Sequence, residues 1–218
     1  KAEEFNITAK EILLDKENEI LIGKGSVEAI DSDGKIIYAD KIIYEKSREF
    51  LTATGNVKIA DKEENILTTN KATYDKINNL IITYDNTELA LKEGYKLISK
   101  IISYNTDKKI LSSGDISIFN DRDGNIIETT MFQYLIESNL FSSIGKIKIT
   151  DIKKNRYFFK EIHIDTNKKE MIGSDVSLIL DQESFGLSKE SDPRLVANDI
   201  LLTKDKSISS KAVFTVCK

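Results

Sequence analysis

The stretch Lys35–Ile59, KIIYADKIIY and then, after EKSREF, LTATGNVKI, decides the fold because the chain repeats it. Stepping by thirty residues from Tyr44 gives Tyr74, Tyr104, Tyr134 and Ile164. The same step from Leu51 gives Ile81, Leu111, Phe141 and Met171, and from Ile42 it gives Ala72, Ile102, Phe132 and Ile162. Three columns that keep one hydrophobic character without a gap mark a repeat protein with a unit of about thirty residues.

Inside the unit the alternation has period two. Leu51, Ala53, Gly55, Val57 and Ile59 fall on one face, and Phe50, Thr52, Thr54, Asn56 and Lys58 on the other. That is a half-buried strand, built from the β-branched and aromatic residues a pleated surface favours. In the first half of the unit Ile37 and Ala39 share one parity but Ile42 and Tyr44 the other, so the apolar face slips near Asp40. The slip recurs between Leu67/Thr69 and Ala72/Tyr74. A β-bulge or corner at this point re-aims the strand between two sheets.

Two turn slots punctuate each unit. One holds Asp33-Gly34, Glu93-Gly94 and Asp123-Gly124, with Glu64-Asn65 and Asn155 in the same place; the other follows the tyrosine column at Asp75, Asn105 and Asp165. These residues supply positive φ and local hydrogen bonds. Two turns per unit make two strands of roughly eleven residues each, or about fourteen antiparallel strands in all; a parallel β-helix would want three shorter strands and three corners per coil. The fold expected is therefore all-β, with residues 1–183 as the repeat body. The register breaks over Ser184–Arg194, which holds the single proline, Pro193. It resumes eight residues late where Ala197-Asn-Asp-Ile-Leu-Leu202 echoes Ala39–Tyr44, so residues 184–218 read as a last unit and a junction. A start at Lys1 and an ending at AVFTVCK without a capping element read as trimmed termini, any export signal having been removed.

Composition sets limits on function. Hydrophobic residues make up 40% and charged residues 31% of the 218, with a net charge of −4 and Lys and Glu well mixed. That is too apolar for disorder, and it lacks the clustered basic surface that nucleic acid requires. No apolar run approaches the roughly twenty residues of a membrane helix. The lone histidine, His163, is turned away from the face of Ile162 and Ile164 and reads as a solvated strand position. One His and one Cys make neither a nucleophilic triad nor a zinc site. Asp121-Arg-Asp123-Gly124 and Asp31-Ser-Asp33-Gly34 resemble the start of a calcium loop, but the first has Thr130 where a bidentate Glu belongs, and both occupy the hairpin slot. Gly23-Lys-Gly25-Ser26 has the wrong spacing for a phosphate loop and stands where Gly55 and Gly145 stand. No enzyme activity and no cofactor are expected.

What remains is the apolar column, which is either a dry core or the lining of an elongated groove between two partly open sheets. An antiparallel stack also exposes an edge at each end, to be blunted or to be paired.

The recurring form carried by Ala39-Asp40, Tyr44, Leu51, Ala53 and Gly55-Asn56-Val57 resembles the OstA-type repeat of the lipopolysaccharide-transport proteins. Asp192-Pro193-Arg194-Leu195 and Ala212-Val-Phe214-Thr215-Val-Cys217 resemble the junction at which the periplasmic domain of the LptD family of outer-membrane assembly proteins gives way to a β-barrel. The resemblance implies an open-ended, V-shaped antiparallel β-jelly-roll on the periplasmic side of the outer membrane. Between its sheets it would take the acyl chains of lipid A, lined by Ile42, Tyr44, Leu51, Val57, Ala72, Tyr74, Ile81, Ile102, Tyr104, Leu111, Phe132, Tyr134 and Phe141. It implies an N-terminal edge strand, with Phe5, Ile7, Ala9 and Ile12, that pairs with a periplasmic bridging protein. It also implies partnership with the β-barrel and its lipoprotein plug, and a disulfide from Cys217 to a cysteine near the barrel's C-terminus, absent from this chain. A bridging protein of the same pathway, a closed-core spacer or adhesin module, and a glycan-acting enzyme are the alternatives.

Overall fold

Leu51, Ala53 and Val57 are all buried on one strand, Phe50–Ala60, as their alternation requires. The computed structural model describes residues 5–31, 34–62, 64–92, 94–181 and 193–216. Among them every regular element is a β-strand except a single 3-10 turn at Lys46–Arg48.

The chain forms two compact units, Lys1–Lys109 and Ile110–Lys218. Unit 1 begins with β1 (Asn6–Thr8) and β2 (Glu11–Asp15), the two halves of one pass, and continues through the unbroken β3 (Ile20–Ile30), β4 (Ile36–Glu45), β5 (Phe50–Ala60) and β6 (Ile66–Asp75). It ends with two split passes, β7 (Leu80–Tyr84) with β8 (Thr87–Ala90), and β9 (Lys96–Ser99) with β10 (Ser103–Asn105). Unit 2 opens with the split passes β11 (Ile110–Ser113) with β12 (Ser117–Asn120), and β13 (Ile126–Thr129) with β14 (Phe132–Leu135). Then come β15 (Leu140–Thr150), β16 (Arg156–Asp165), β17 (Glu170–Ile179) and β18 (Arg194–Leu202), and the split pass β19 (Ser207–Ser210) with β20 (Val213–Thr215). The twenty strands are thus fourteen passes, eight whole and six broken in the middle. Within each unit every pass pairs antiparallel with the next.

The corner expected near Asp40 is present, and the extra residue lies on the strands facing it. Gly25-Ser26 on β3 and Gly55-Asn56 on β5 sit in the bulged ladders beside Asp40. Their φ values are +74° and +48°, and +77° and +47°. Asp40 lies directly over Gly55, where a Cβ would stand 2.4 Å from its Oδ2, and Asn56 Nδ2 donates to the same oxygen at 2.9 Å. Only glycine fits a left-handed position with a side chain packed on it. In unit 2 the device recurs at Gly145, beneath Thr130. At Asp175, φ +50°, an ion pair of 3.1 Å to Lys160 takes the place of the Asp–Asn bond.

The hairpin slots hold as read. In the first, Asp31, Asp61, Asp121 and Asp151 each accept, at Oδ1, the backbone N–H four residues on, at 2.8–2.9 Å. The calcium-like Asp121 loop is therefore an Asx-closed hairpin turn. In the second, Glu19, Glu49, Asn79, Lys109, Asn139 and Lys169 all take φ between +46° and +56°, thirty residues apart. The turns are also tied to one another: Asn65, Asn125 and Asn155 accept the N–H of Lys92, Ile152 and Asp181 through their side-chain carbonyls. Residues 197 and 200 are buried like 39 and 42, so the echo after Pro193 is a true pass.

Candidate functional site

Each pass bends at the corner, so its halves belong to two facing leaves. In unit 1 the leaf ending at the second turn slot contributes Ile42, Tyr44, Leu51, Ala53 and Ala72 to one core; the leaf ending at the first slot contributes Val27, Ala29, Ile37, Ala39 and Val57 to the same core. In unit 2 Phe119 of one leaf meets Phe132 and Phe141 of the other, ring centroids 4.7 and 5.1 Å apart.

The residues named from sequence as a lining differ in burial. The column nearest the corner, Ile42, Ala72, Ile102 and Phe132, is dry, at most 3% exposed. The Leu51, Ile81, Leu111 and Phe141 column is at most 9% exposed, and Val57 is buried on the opposite leaf. Directly opposite the Leu51 column on the neighbouring strands, Tyr44 is just buried while Tyr74, Tyr104 and Tyr134 are half-buried. Tyr134 Oη donates to Asn139 Oδ1 at 3.2 Å, in the adjoining turn. Lysines from both leaves lie over rings at this level of unit 1: Lys35 Nζ sits 5.6 Å over the Tyr74 ring from the opposite leaf, and Lys76 Nζ 5.0 Å over Phe5.

A row of buried hydroxyls was not read from the sequence. Thr83 and Thr87 flank the break between β7 and β8, Ser113 and Ser117 that between β11 and β12, and Ser99 and Thr129 border the breaks after β9 and β13. Where the ladder lapses, these hydroxyls take up the freed backbone groups. Thr83 Oγ1 accepts the Ile102 N–H at 3.0 Å, Ser99 donates to the Ile101 carbonyl at 3.1 Å, and Thr129 and Ser143 both donate to the Met131 carbonyl. The thirty-residue register does signal them, since they occupy the columns of Ala39, Ala53 and Val57. The unbroken β4 and β5 have Ala or Val there.

The model of the OstA-like protein family matches residues 2–129, more than half of the chain. The chain belongs to the OstA-like family. No curated protein matches it. Among solved structures it is similar to LptH of Pseudomonas aeruginosa, described as the LptA-homologous periplasmic component of the lipopolysaccharide transport device. The identity is 16% and the TM-score 0.46, over 51% of this chain and 82% of that one.

In this OstA-like chain the named edge residues divide. Phe5, Ile7 and Ala9 face inward and pack on the core of unit 1, while Ile12 is exposed along with Leu13 and Leu14. Among the described residues β1 and β2 pair only with β3, so their outer edge is free. In unit 2, among the described residues, β19 and β20 pair only with β18, and Ile208, Val213 and Phe214 are exposed. His163 is exposed on the outer face, its Nε2 2.8 Å from Glu161 Oε1. Cys217 and Asp192 lie outside the described residues.

Proposed function

We propose that the groove between the leaves binds the acyl chains of lipopolysaccharide and that the chain serves lipopolysaccharide transport. One observation carries this reading: in an OstA-like chain, the rungs from Ile42 to Phe141 present an apolar lining of the same character and the same order of burial. Burial of a hydrocarbon chain is worth about 0.8 kcal/mol per methylene, while the phosphorylated head group stays in water beside Lys35 and Lys76. Rungs of similar lining bind with similar energy, so a chain can slide from one to the next, with direction supplied from outside. No bond is made or broken.

The corner-near columns are dry, so loading requires the leaves to part from the tyrosine side, opening the V that the family resemblance implies. The left-handed corner residues are the pivot. The same dryness favours a second reading, a spacer with a closed core. Photocrosslinkers at Tyr74, Tyr104 and Tyr134, against outward controls at Lys58 and Gln133, separate the two. Capture of lipopolysaccharide from the tyrosine positions alone is expected; capture from the controls alone, or from none, overturns the lipid reading.

The finer assignment is to the periplasmic domain of an outer-membrane assembly protein of the LptD type, acting on the periplasmic side of that membrane and handing lipid to a barrel with its plug. It is supported by the Asp192-Pro193-Arg194-Leu195 and Phe214-Thr215-Val-Cys217 pattern. A reading frame continuing beyond Lys218 into several hundred residues of alternating strands is the result expected of this assignment; its absence points to the bridging protein instead. The free edge of β1 and β2 supports pairing with that bridge. A proline within Asn6–Leu13 should weaken the association, and unchanged affinity would count against it.

A further inference from the structure

Phe5 occupies the mouth of the unit 1 groove. Its ring lies edge-on to Tyr44, centroids 5.7 Å apart at 73°, and to Tyr74, 6.2 Å at 82°. Tyr44 and Tyr74 flank Leu51 across the β4–β5 and β5–β6 ladders. One ring from the opposite leaf thus covers the rung formed by Tyr44, Leu51 and Tyr74, and Leu51 beneath it is 1% exposed. Lys76 Nζ caps the outer side of the phenyl at 5.0 Å.

Phe5 immediately precedes β1, one of the shortest strands of the unit. β1 pairs over three residues, Asn6 with Ile30, Ile7 with Ala29 and Thr8 with Glu28, and on one side only. Between it and β2 the Lys10 N–H bonds to the Gly25 carbonyl at 3.0 Å, at the corner. β2 holds to β3 by its own ladder beyond that point. Lifting β1 therefore breaks a short ladder and swings about Ala9-Lys10 while the rest of the sheet stays paired. Short one-sided strands are the segments that open locally at least cost.

We infer that β1 is a displaceable stopper. Phe5 stands between Tyr44 and Tyr74 where a hydrocarbon chain would lie, and an acyl chain enters this rung only when β1 peels from β3. The inference rests on the lipid reading for its ligand, but the stopper itself is a property of the chain alone.

The test uses the whole chain with Cys217→Ser. In one arm Leu51→Cys reports access to the covered rung through its rate of reaction with an apolar maleimide. Adding Phe5→Ala should raise that rate about tenfold or more, and Phe5→Leu should raise it less; an unchanged or slower rate overturns the stopper. In the other arm Thr8→Cys with Glu28→Cys, an outward cross-strand pair, forms a disulfide that latches β1 down. The oxidised latch should cut uptake of a fluorescent acyl-chain probe, and reduction of the same sample should restore it, which controls for folding. Measurable uptake that is equal in the oxidised and reduced states overturns the proposal. If Phe5→Ala exposes Leu51→Cys but no form takes up the probe, the stopper stands and the lipid reading falls.

Discussion

Phe119 on β12 and Phe132 on β14 meet edge to face across the two leaves of unit 2, at 83° and 4.7 Å between centroids, with Phe141 stacked beside Phe132. In the other repeats the three columns hold Ala29, Ile59, Leu89 and Ile149; Ile42, Ala72, Ile102 and Ile162; and Leu51, Ile81, Leu111 and Met171. Only this rung is aromatic throughout, so the leaves are pinned here by ring contacts as well as by burial.

Truncation should show the difference in depth. Phe132→Ala removes a side chain that is 2% exposed and is expected to cost about 3–5 kcal/mol. Phe119→Ala, at a half-buried position, should cost about 1–3 kcal/mol. Phe132→Ile restores the column's usual residue and should recover more than half of the alanine loss. Urea denaturation of the three variants checks the order.

Gly55→Ala should destabilise by about 1–3 kcal/mol, because φ is +77° and the new Cβ meets Asp40 Oδ2 at 2.4 Å. Asp40→Ala in the same chain removes the clash but not the left-handed penalty, so the pair should be less than additive by denaturant unfolding. Gly114 is the control: nothing lies within 4 Å of its Cβ position and its φ is not left-handed. Gly114→Ala should be neutral or stabilising by about 0.4–1 kcal/mol.

The corner shows how far the sequence could be read. The parity slip between Ala39 and Ile42 required a bulge, and the Gly-Asn pair facing it was visible in the repeat. The deep burial of Ile42 follows from its place two residues from that corner, whereas Tyr44 and Leu51 are cross-strand partners on one rung and differ in exposure through side-chain size. The breaks in β7 to β14 were not legible. Alternation assigns Thr83, Ser99 and Ser113 by polarity; the thirty-residue register puts them in the buried columns of Ala53 and Ala39, but Thr69 and Ser143 hold those columns on unbroken strands, so a hydroxyl there does not mark a break. Phe5 shows the same limit: its place over Tyr44 and Tyr74 is a contact between leaves, and no pattern along one strand encodes it.

Alkaline pH should loosen the turn at Asp151. Tyr157 is pushed up to about 12, chiefly by burial and then by the charge of Asp151 and the hydrogen bond its Oη donates to Asp151 Oδ2 at 3.1 Å. Its folded value lies above the ordinary value of 10.0, so the stabilisation is complete below about pH 10 and is lost as pH rises toward 12. Tyr157→Phe should flatten that part of the stability profile and remove a late-titrating component from the tyrosinate absorbance of the parent.

Acid should separate two kinds of turn. Asp15 and Asp75 are held below the ordinary carboxylate range mainly by the side-chain amides of Asn18 and Asn78, which donate at 2.8 Å in both turns. Asp165 is depressed first by the Lys168 backbone N–H and then by its ammonium, 3.0 Å away. All three stabilise the fold above the ordinary carboxylate pKa and lose that contribution as pH falls through the depressed value. Salt screens the ionic part alone. Raising the ionic strength should therefore move the carboxyl titration of Asp165 upward in NMR spectra and leave that of Asp15 nearly in place. Asn18→Ala should do the reverse, raising Asp15 and leaving Asp165 unmoved. Equal salt responses at the two sites would mean that long-range charge, and not the local amide, sets the turn.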